Sequence, residues 1–300
     1  MIFTFLKISQ ENWENFWGGI NMENIGATYK MIRKNKKITQ SAVCSDNLSR
    51  TSLSKFENDR LIPTLYSFTK FLEKIDMNYD EFFFICNNYE NKELDELLDE
   101  FYLIKNNTEI HKIESLKEKC SNFLENNSNS LISDMINVLN CLLLLQKDEE
   151  KFSCITKISV AKIWERISNM DTWFLNEIKF LNHILFYFQI DTAIEIGKKL
   201  IFNIKRYDKF HGMANIKISI YINLAYMLEL HENISKSQTY LDIAMRLSKE
   251  NKRYDLYAIA QYRLGNITFN KKMMQLSLVL LSLLEEHDLM NALITEGRKS

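Results

Sequence analysis

Along almost the whole chain, apolar residues recur three and four positions apart, with polar residues filling the gaps. That spacing predicts helices, because it gathers the apolar side chains on one face of a 3.6-residue turn. The first helical stretches are short. Gln40 opens one of them, with Ala42 and Val43 on its inner side. Asp46 and Asn47 supply turn chemistry, since both tolerate left-handed backbone angles. Ser49 is placed to cap the next helix through its hydroxyl. In that helix Leu53 and Phe56 point inward with Leu48, while Arg50, Thr51, Ser54 and Lys55 share the opposite face.

The later stretches are longer. The pattern loosens over residues 88–92, which read as a linker, and resumes at Glu93. Residues 93–105 place Leu94, Leu97, Leu98, Phe101, Tyr102 and Ile104 on one side, residues 110–125 form the next helix, and a polar turn spans 126–130. A weak repeat then emerges. Asn140, Asn182, Asn223 and Asn266 lie 42, 41 and 43 residues apart, each inside a strongly apolar helix. A second helix follows each, over residues 159–168, 192–206, 234–248 and 273–286, the last of these closing the pattern. Helix pairs at a fixed period predict an α-solenoid, in which each pair buries its apolar face against its neighbours. The alternative is an irregular helical bundle with coincident Asn spacing. One proline and seven glycines in 300 residues leave little punctuation for hairpins, so the predicted fold class is all-α: a small N-terminal domain followed by an α-solenoid.

Composition changes this picture in few places. The chain is 46% hydrophobic and 26% charged, as for a globular protein, and its net charge of −1 excludes a polyelectrolyte binder. Residues 22–60, however, carry eight basic and four acidic side chains, a net +4. A locally basic domain on a neutral body fits nucleic-acid contact through a small surface. The five cysteines, Cys44, Cys86, Cys120, Cys141 and Cys154, are odd in number and widely spaced. They indicate neither a disulfide framework nor a metal site, and fit core thiols of a reduced cytoplasmic protein. Cys44, beside the predicted turn, is the candidate for a redox-sensitive thiol. Five scattered histidines, no His-Glu-x-x-His, no Gly-x-Ser-x-Gly and no Gly-rich phosphate loop argue against an enzyme, and no cofactor is indicated. The greasiest run, residues 276–284, is too short to span a membrane. Residues 1–21 read as an over-called or weakly ordered extension, with Met22 the better start; a helix over residues 11–17 packed on the domain is the alternative.

One string is more specific than periodicity. Ser49-Arg50-x-x-Leu53-Ser54-Lys55-x-Glu57-Asn58 resembles the recognition helix of phage-repressor helix-turn-helix domains. Residues 25–37 resemble that domain's first helix, followed by its Thr-Gln at Thr39 and Gln40. Residues 60–65 and 68–83 resemble its fourth and fifth helices, ending in Asp80-Glu81-Phe82-Phe83. Residues 22–87 are therefore the expected DNA-binding domain and 93–300 the repeat domain. A helix edged with Arg, Thr, Ser and Lys suits phosphate contact and base readout in a major groove. The expected DNA contacts are Gln40, Arg50, Thr51, Ser52, Ser54, Lys55 and Arg60, with Gln40 donating to a phosphate.

A helix-turn-helix followed by about 200 residues of tetratricopeptide-like helices resembles the Rgg/GadR/MutR group of transcriptional regulators, intracellular pheromone receptors of low-GC Gram-positive bacteria. The segment from Val160-Ala-Lys-Ile-Trp164 through Met170-Asp-Thr-Trp173 to Phe180-Leu-Asn-His-Ile-Leu185 is similar to that group's tryptophan-bearing region. That group's recognition helix more often carries Gln at the positions of Thr51 and Ser52, so base preference does not carry over. The resemblance implies a homodimer on an inverted-repeat operator in double-stranded DNA and a short hydrophobic peptide in the concave face of the solenoid. It further implies Asn side chains holding the peptide backbone, and an ion pair of Glu57 with Arg33. The expected peptide contacts are Asn140, Asn182 and Asn223, with Phe186 and Tyr226 as pocket walls and Arg166 for the peptide carboxylate. A regulator that acts on a partner protein instead of DNA is the competing reading.

Overall fold

The computed structural model describes residues 24–44, 48–104, 109–144, 154–210 and 212–297. Residues 1–21 and the Asp46–Asn47 turn lie outside this set. Among the described residues the regular structure is helical throughout. The chain divides into two compact units, one ending at Asp99 and the other beginning at Glu100.

The first unit contains α1 (Ile25–Asn35), α2 (Gln40–Val43), α3 (Arg50–Phe56), α4 (Leu65–Lys74) and α5 (Tyr79–Cys86). A side-chain oxygen caps each of the last four. Thr39, Ser49, Thr64 and Asn78 accept from the backbone N–H of Ala42, Ser52, Ser67 and Glu81 at 3.2, 3.0, 3.2 and 2.8 Å. Such caps matter for helices of four to ten residues, which are too short to hold themselves. The core joins Tyr29, Ile32, Val43, Leu48, Leu53, Phe56, Phe68, Phe71, Leu72, Ile75 and Phe82. Phe56 of α3 stacks on Phe71 of α4 with centroids 5.4 Å apart. The Tyr29 ring lies 5.4 Å from Phe56, and its hydroxyl donates to the Phe71 carbonyl at 3.0 Å. Gly26 is required where α1 meets the end of α3: a Cβ there would sit 1.8 Å from the Phe56 carbonyl oxygen. Leu48, Leu53 and Phe56 are buried as their spacing predicts. Ala42 is not. In a single-turn helix only Val43 reaches the core, and Ala42 is exposed.

The turn read as a linker holds two consecutive left-handed residues, Asn88 and Tyr89, with φ of 56° and 64°. After it comes α6 (Glu93–Leu103), in which the division between the units falls. Leu97, Phe101 and Ile104 are buried as predicted, but Tyr102, one 100° step from Phe101, is exposed.

The second unit continues with α7 (Ile110–Asn126), α8 (Ser130–Leu144), α9 (Cys154–Ser168), α10 (Leu175–Ile184), α11 (Ile190–Ile204), α12 (Ala214–Leu230), α13 (Ile234–Glu250), α14 (Tyr254–Ile267), α15 (Lys271–Leu283) and α16 (His287–Gly297). Single 3₁₀ turns follow α10 and α11. From α7 on, each helix packs on its successor along the chain, and α8, α10, α12 and α14 also pack on one another in that order. This is the solenoid arrangement: the first helices of successive pairs form an inner layer, and α9, α11, α13 and α15 an outer one. Residues 273–286 do not close the fold. α16 follows, and its Leu289 and Leu293 are buried with Ala258, Tyr262 and Leu281. Its apolar pattern of two leucines four apart is too brief to stand out in sequence.

Candidate nucleic-acid interface and ligand groove

The third helix of the first unit is held from behind by a buried ion pair. Arg33 of α1 donates to Glu57 at the end of α3 through Nε (2.5 Å to Oε1) and Nη2 (2.8 Å to Oε2). Nη1 donates to the Ile38 carbonyl at 2.6 Å, and Gln40 Nε2 adds a bond to Glu57 Oε2 at 2.9 Å. Burial opposes the charge on Glu57, yet the hydrogen bonds from Arg33 and Gln40 outweigh it and hold its carboxyl below its ordinary range. The same bond to Glu57 raises the Arg33 pKa. This is the pair the resemblance implies, and it fixes α3 to α1 in a bidentate geometry that a lysine could not supply.

With its back held, α3 presents Arg50, Thr51 and Lys55 to solvent, and Arg60 is exposed just after it. Ser52 and Ser54 are half-buried. The Ser52 hydroxyl accepts from Ser49 at 2.8 Å, and the Ser54 carbonyl accepts from Asn58 Nδ2 at 2.7 Å. Asn58 Oδ1 in turn accepts from Lys30 at 2.7 Å, a second tie to α1. Gln40, expected at a phosphate, is half-buried and engaged with Glu57.

On the solenoid, α12 is largely buried, and Ile216, Ser219, Asn223, Tyr226 and Leu230, three and four apart, form one line that reaches solvent. Two of the repeated asparagines meet there. Asn182 of α10 donates to Ser219 Oγ at 3.0 Å, and Asn223 Nδ2 donates to Asn182 Oδ1 at 3.1 Å and to its backbone oxygen at 3.3 Å. A 41-residue separation in sequence is thus one repeat translation in space. Asn182 is nearly covered, whereas Asn223 is half-exposed and keeps its own carbonyl oxygen out of this pair. Further along, the Phe186 and Tyr226 rings lie 5.9 Å apart, and the Arg263 guanidinium of α14 covers Tyr226 at 4.3 Å. Asn140 and Asn266 are half-buried on α8 and α14.

Arg166 lies between two carboxylates, Asp134 of α8 at 2.7 Å and Glu177 of α10 at 3.3 Å. Glu177 also accepts from the Phe174 N–H at 3.2 Å, capping α10. Burial pushes the Asp134 carboxyl above its ordinary range, although Arg166 pulls the other way. Among the described residues Arg166 Nε has no hydrogen-bond partner, so the two acids do not use the whole guanidinium.

Burial drives the thiols of Cys120 and Cys141 up to about 11 and about 12, so both are inert core groups, and it raises Cys86 as well. Cys44 is half-buried; the side chain of Cys154 lies outside the described residues. Among the described residues there is no cluster of three His, Cys, Asp or Glu side chains that could hold a metal, and no helix is long and apolar enough to cross a membrane.

No family model and no curated protein sequence matches the chain. Solved structures do. A candidate transcriptional regulator from Listeria monocytogenes EGD-e superposes with a TM-score of 0.68 at 18% identity, over 93% of this chain and 97% of that one. PlcR of Bacillus thuringiensis, in complex with the peptide PapR7 and DNA, gives 0.63 at 15% identity over 91% and 99%. The pheromone receptor Rgg2 of Streptococcus dysgalactiae gives 0.60 at 15% identity over 92% and 99%. The chain therefore has the fold of Rgg- and PlcR-type regulators along nearly its whole length.

Proposed function

We propose that the chain is a sequence-specific DNA-binding transcriptional regulator, controlled by a short hydrophobic peptide that lies along the inner layer of its solenoid. The observation that carries the reading is the construction of α3. A buried bidentate pair fixes its back, and its outward face offers Arg50, Thr51 and Lys55, with Arg60 beyond. That is the chemistry a helix needs to contact phosphates and read base edges in a major groove. PlcR, of like fold, was solved with both DNA and a peptide, which supports the same two partners here. In this reading the protein is a cytoplasmic homodimer on an inverted repeat, and no catalytic step is involved. Ser52 and Ser54 contribute through phosphate contacts, and Gln40 reaches a phosphate by exchanging its bond to Glu57.

In the groove, Asn223 accepts a peptide N–H through its carbonyl oxygen, and Asn182 orients Asn223 while completing the ladder. Phe186 and Tyr226 form one wall, Asn140 extends the polar line onto α8, and Arg166, paired with Asp134 and Glu177, takes a carboxylate.

The competing reading, contact with a partner protein, draws on one observation. Leu61, Ile62, Leu65 and Tyr66 are exposed beside α3, Ile62 by 71%. An electrophoretic mobility shift with mixed duplex fragments at moderate salt separates the two. Retardation that Lys55→Ala weakens on all fragments alike supports DNA contact. Absence of any retardation supports the partner protein.

A further inference from the structure

Asn182 and Asn223 are two links of a longer hydrogen-bond chain, whose first link has no role in the regulator reading above. The Ser219 hydroxyl donates to the Ile216 carbonyl at 2.9 Å, three residues back along α12. With its one proton spent, Ser219 meets its other neighbour as an acceptor and takes a bond from Asn182 Nδ2 at 3.0 Å. The Asn182 amide is thereby turned so that its oxygen faces Asn223, whose Nδ2 donates to it at 3.1 Å. The same Nδ2 donates to the Asn182 backbone carbonyl at 3.3 Å.

This chain has one direction. Both of its ends are pinned by backbone carbonyls, those of Ile216 and Asn182, and a carbonyl only accepts. Turning either amide over would set nitrogen against nitrogen or oxygen against oxygen. Asn182 is only 6% exposed, so water does not repair such a mismatch. The NH₂ group of Asn223 is thus committed inward, and its carbonyl oxygen is the end left over, on a half-buried residue of the groove line. Donation through the NH₂ group also makes that oxygen a stronger acceptor, because hydrogen bonds in a chain polarise one another.

We propose that Ser219 is a positioning residue that fixes the polarity of the groove, so that Asn223 presents an acceptor and takes a ligand only where that ligand offers an N–H. The inference rests on the peptide reading above and narrows its ligand. Ser219 precedes Asn223 by four residues, one turn away on the same face of α12, and acts through the two asparagines rather than on the ligand. With its donors given to Asn182, Asn223 does not grip a peptide unit by carbonyl and N–H together. The peptide residue opposite Asn223 must therefore keep its amide proton. Proline, which has none, is excluded at that position, as is any N-substituted residue.

A fluorescein-labelled set of apolar heptapeptides is titrated into the full-length chain by polarisation, and the tightest binder is remade with a single backbone ester at each internal position. An ester removes one N–H and adds no bulk. In the wild type an ester at one position weakens binding about tenfold or more, because it sets two oxygens face to face. Asn223→Ala erases that penalty, which identifies the position as the one opposite Asn223. Ser219→Ala frees the Asn182 amide to turn and shrinks the penalty to about threefold or less; Ser219→Thr, which keeps the hydroxyl, restores it. A role confined to packing would lower the affinity of ester and amide by the same factor. A penalty that survives Ser219→Ala in full therefore overturns the inference, as does a wild type in which no ester penalty depends on Asn223. In either case parent peptides that still need Asn223 leave the peptide reading standing. If no heptapeptide binds, the peptide reading falls, and the role of Ser219 falls with it.

Discussion

Replacing Glu57 with Gln leaves the Arg33 guanidinium buried without a countercharge, which costs about 3–5 kcal/mol and should unfold the first unit at a visibly lower denaturant concentration. Native pairing lowers the Glu57 pKa, so its stabilisation is fully present above the unfolded carboxylate range and fades as pH falls below about 4.3. His183 works in the same sense at higher pH. Its folded pKa is lowered to about 4, so the unfolded chain takes up a proton that the native chain refuses. Stability of the second unit should therefore decline from about pH 6.5 downward, and His183→Gln should flatten that slope. A ring proton of His183 that titrates near pH 6.5 in the native protein would contradict this. The Glu57 partner was legible only through the family likeness, because nothing in the spacing of residues 33 and 57 announces a pair. The Arg166 contacts were not legible at all: Asp134 and Glu177 reach it from two other helices.

α3 is the element whose sequence and structure agree most closely. Its cap, its two inward residues and its polar face all follow from local rules, since a seven-residue helix with a Ser N-cap admits one register. Ser49→Ala should cost about 1 kcal/mol in thermal unfolding and more in DNA affinity, because the cap also sets the start of the contact face. Arg50→Ala should cost about 1–3 kcal/mol of binding and relax preference at one base position; a uniform loss over all sequences would reduce Arg50 to a phosphate contact. One element boundary in the solenoid was also readable: a helix over 234–248 was expected, and α13 runs Ile234–Glu250. What spacing did not reveal was how the asparagines are used. Asn182 and Asn223 bond each other and Ser219, so part of their capacity goes to holding α10 against α12. Asn223→Ala should still weaken peptide binding about tenfold, measured by polarisation, by leaving a peptide N–H buried without an acceptor. Unchanged affinity would leave the two amides as packing groups.

For the whole molecule, one short helix-turn-helix reads only a few base pairs, so specific binding requires two copies related by a two-fold axis. The fold leaves a surface suited to pairing. Leu276, Val279 and Leu283 are exposed along one side of α15, Leu283 by 77%, while Ser277 and Leu281 face inward. Leu276→Glu with Val279→Glu should give a monomer by light scattering without loss of helix content; a dimer that persists would place the interface elsewhere. The most direct test of the regulator reading is selection of binding sites by the full-length protein from a random duplex pool, with the Arg50→Ala variant in parallel. The wild type should enrich an inverted repeat whose half-site centres lie about 34 Å apart or a multiple of it, and the variant should lose preference at one position in each half-site. No enrichment, or an identical motif from Arg50→Ala, would contradict the assignment of α3 as the element that reads DNA.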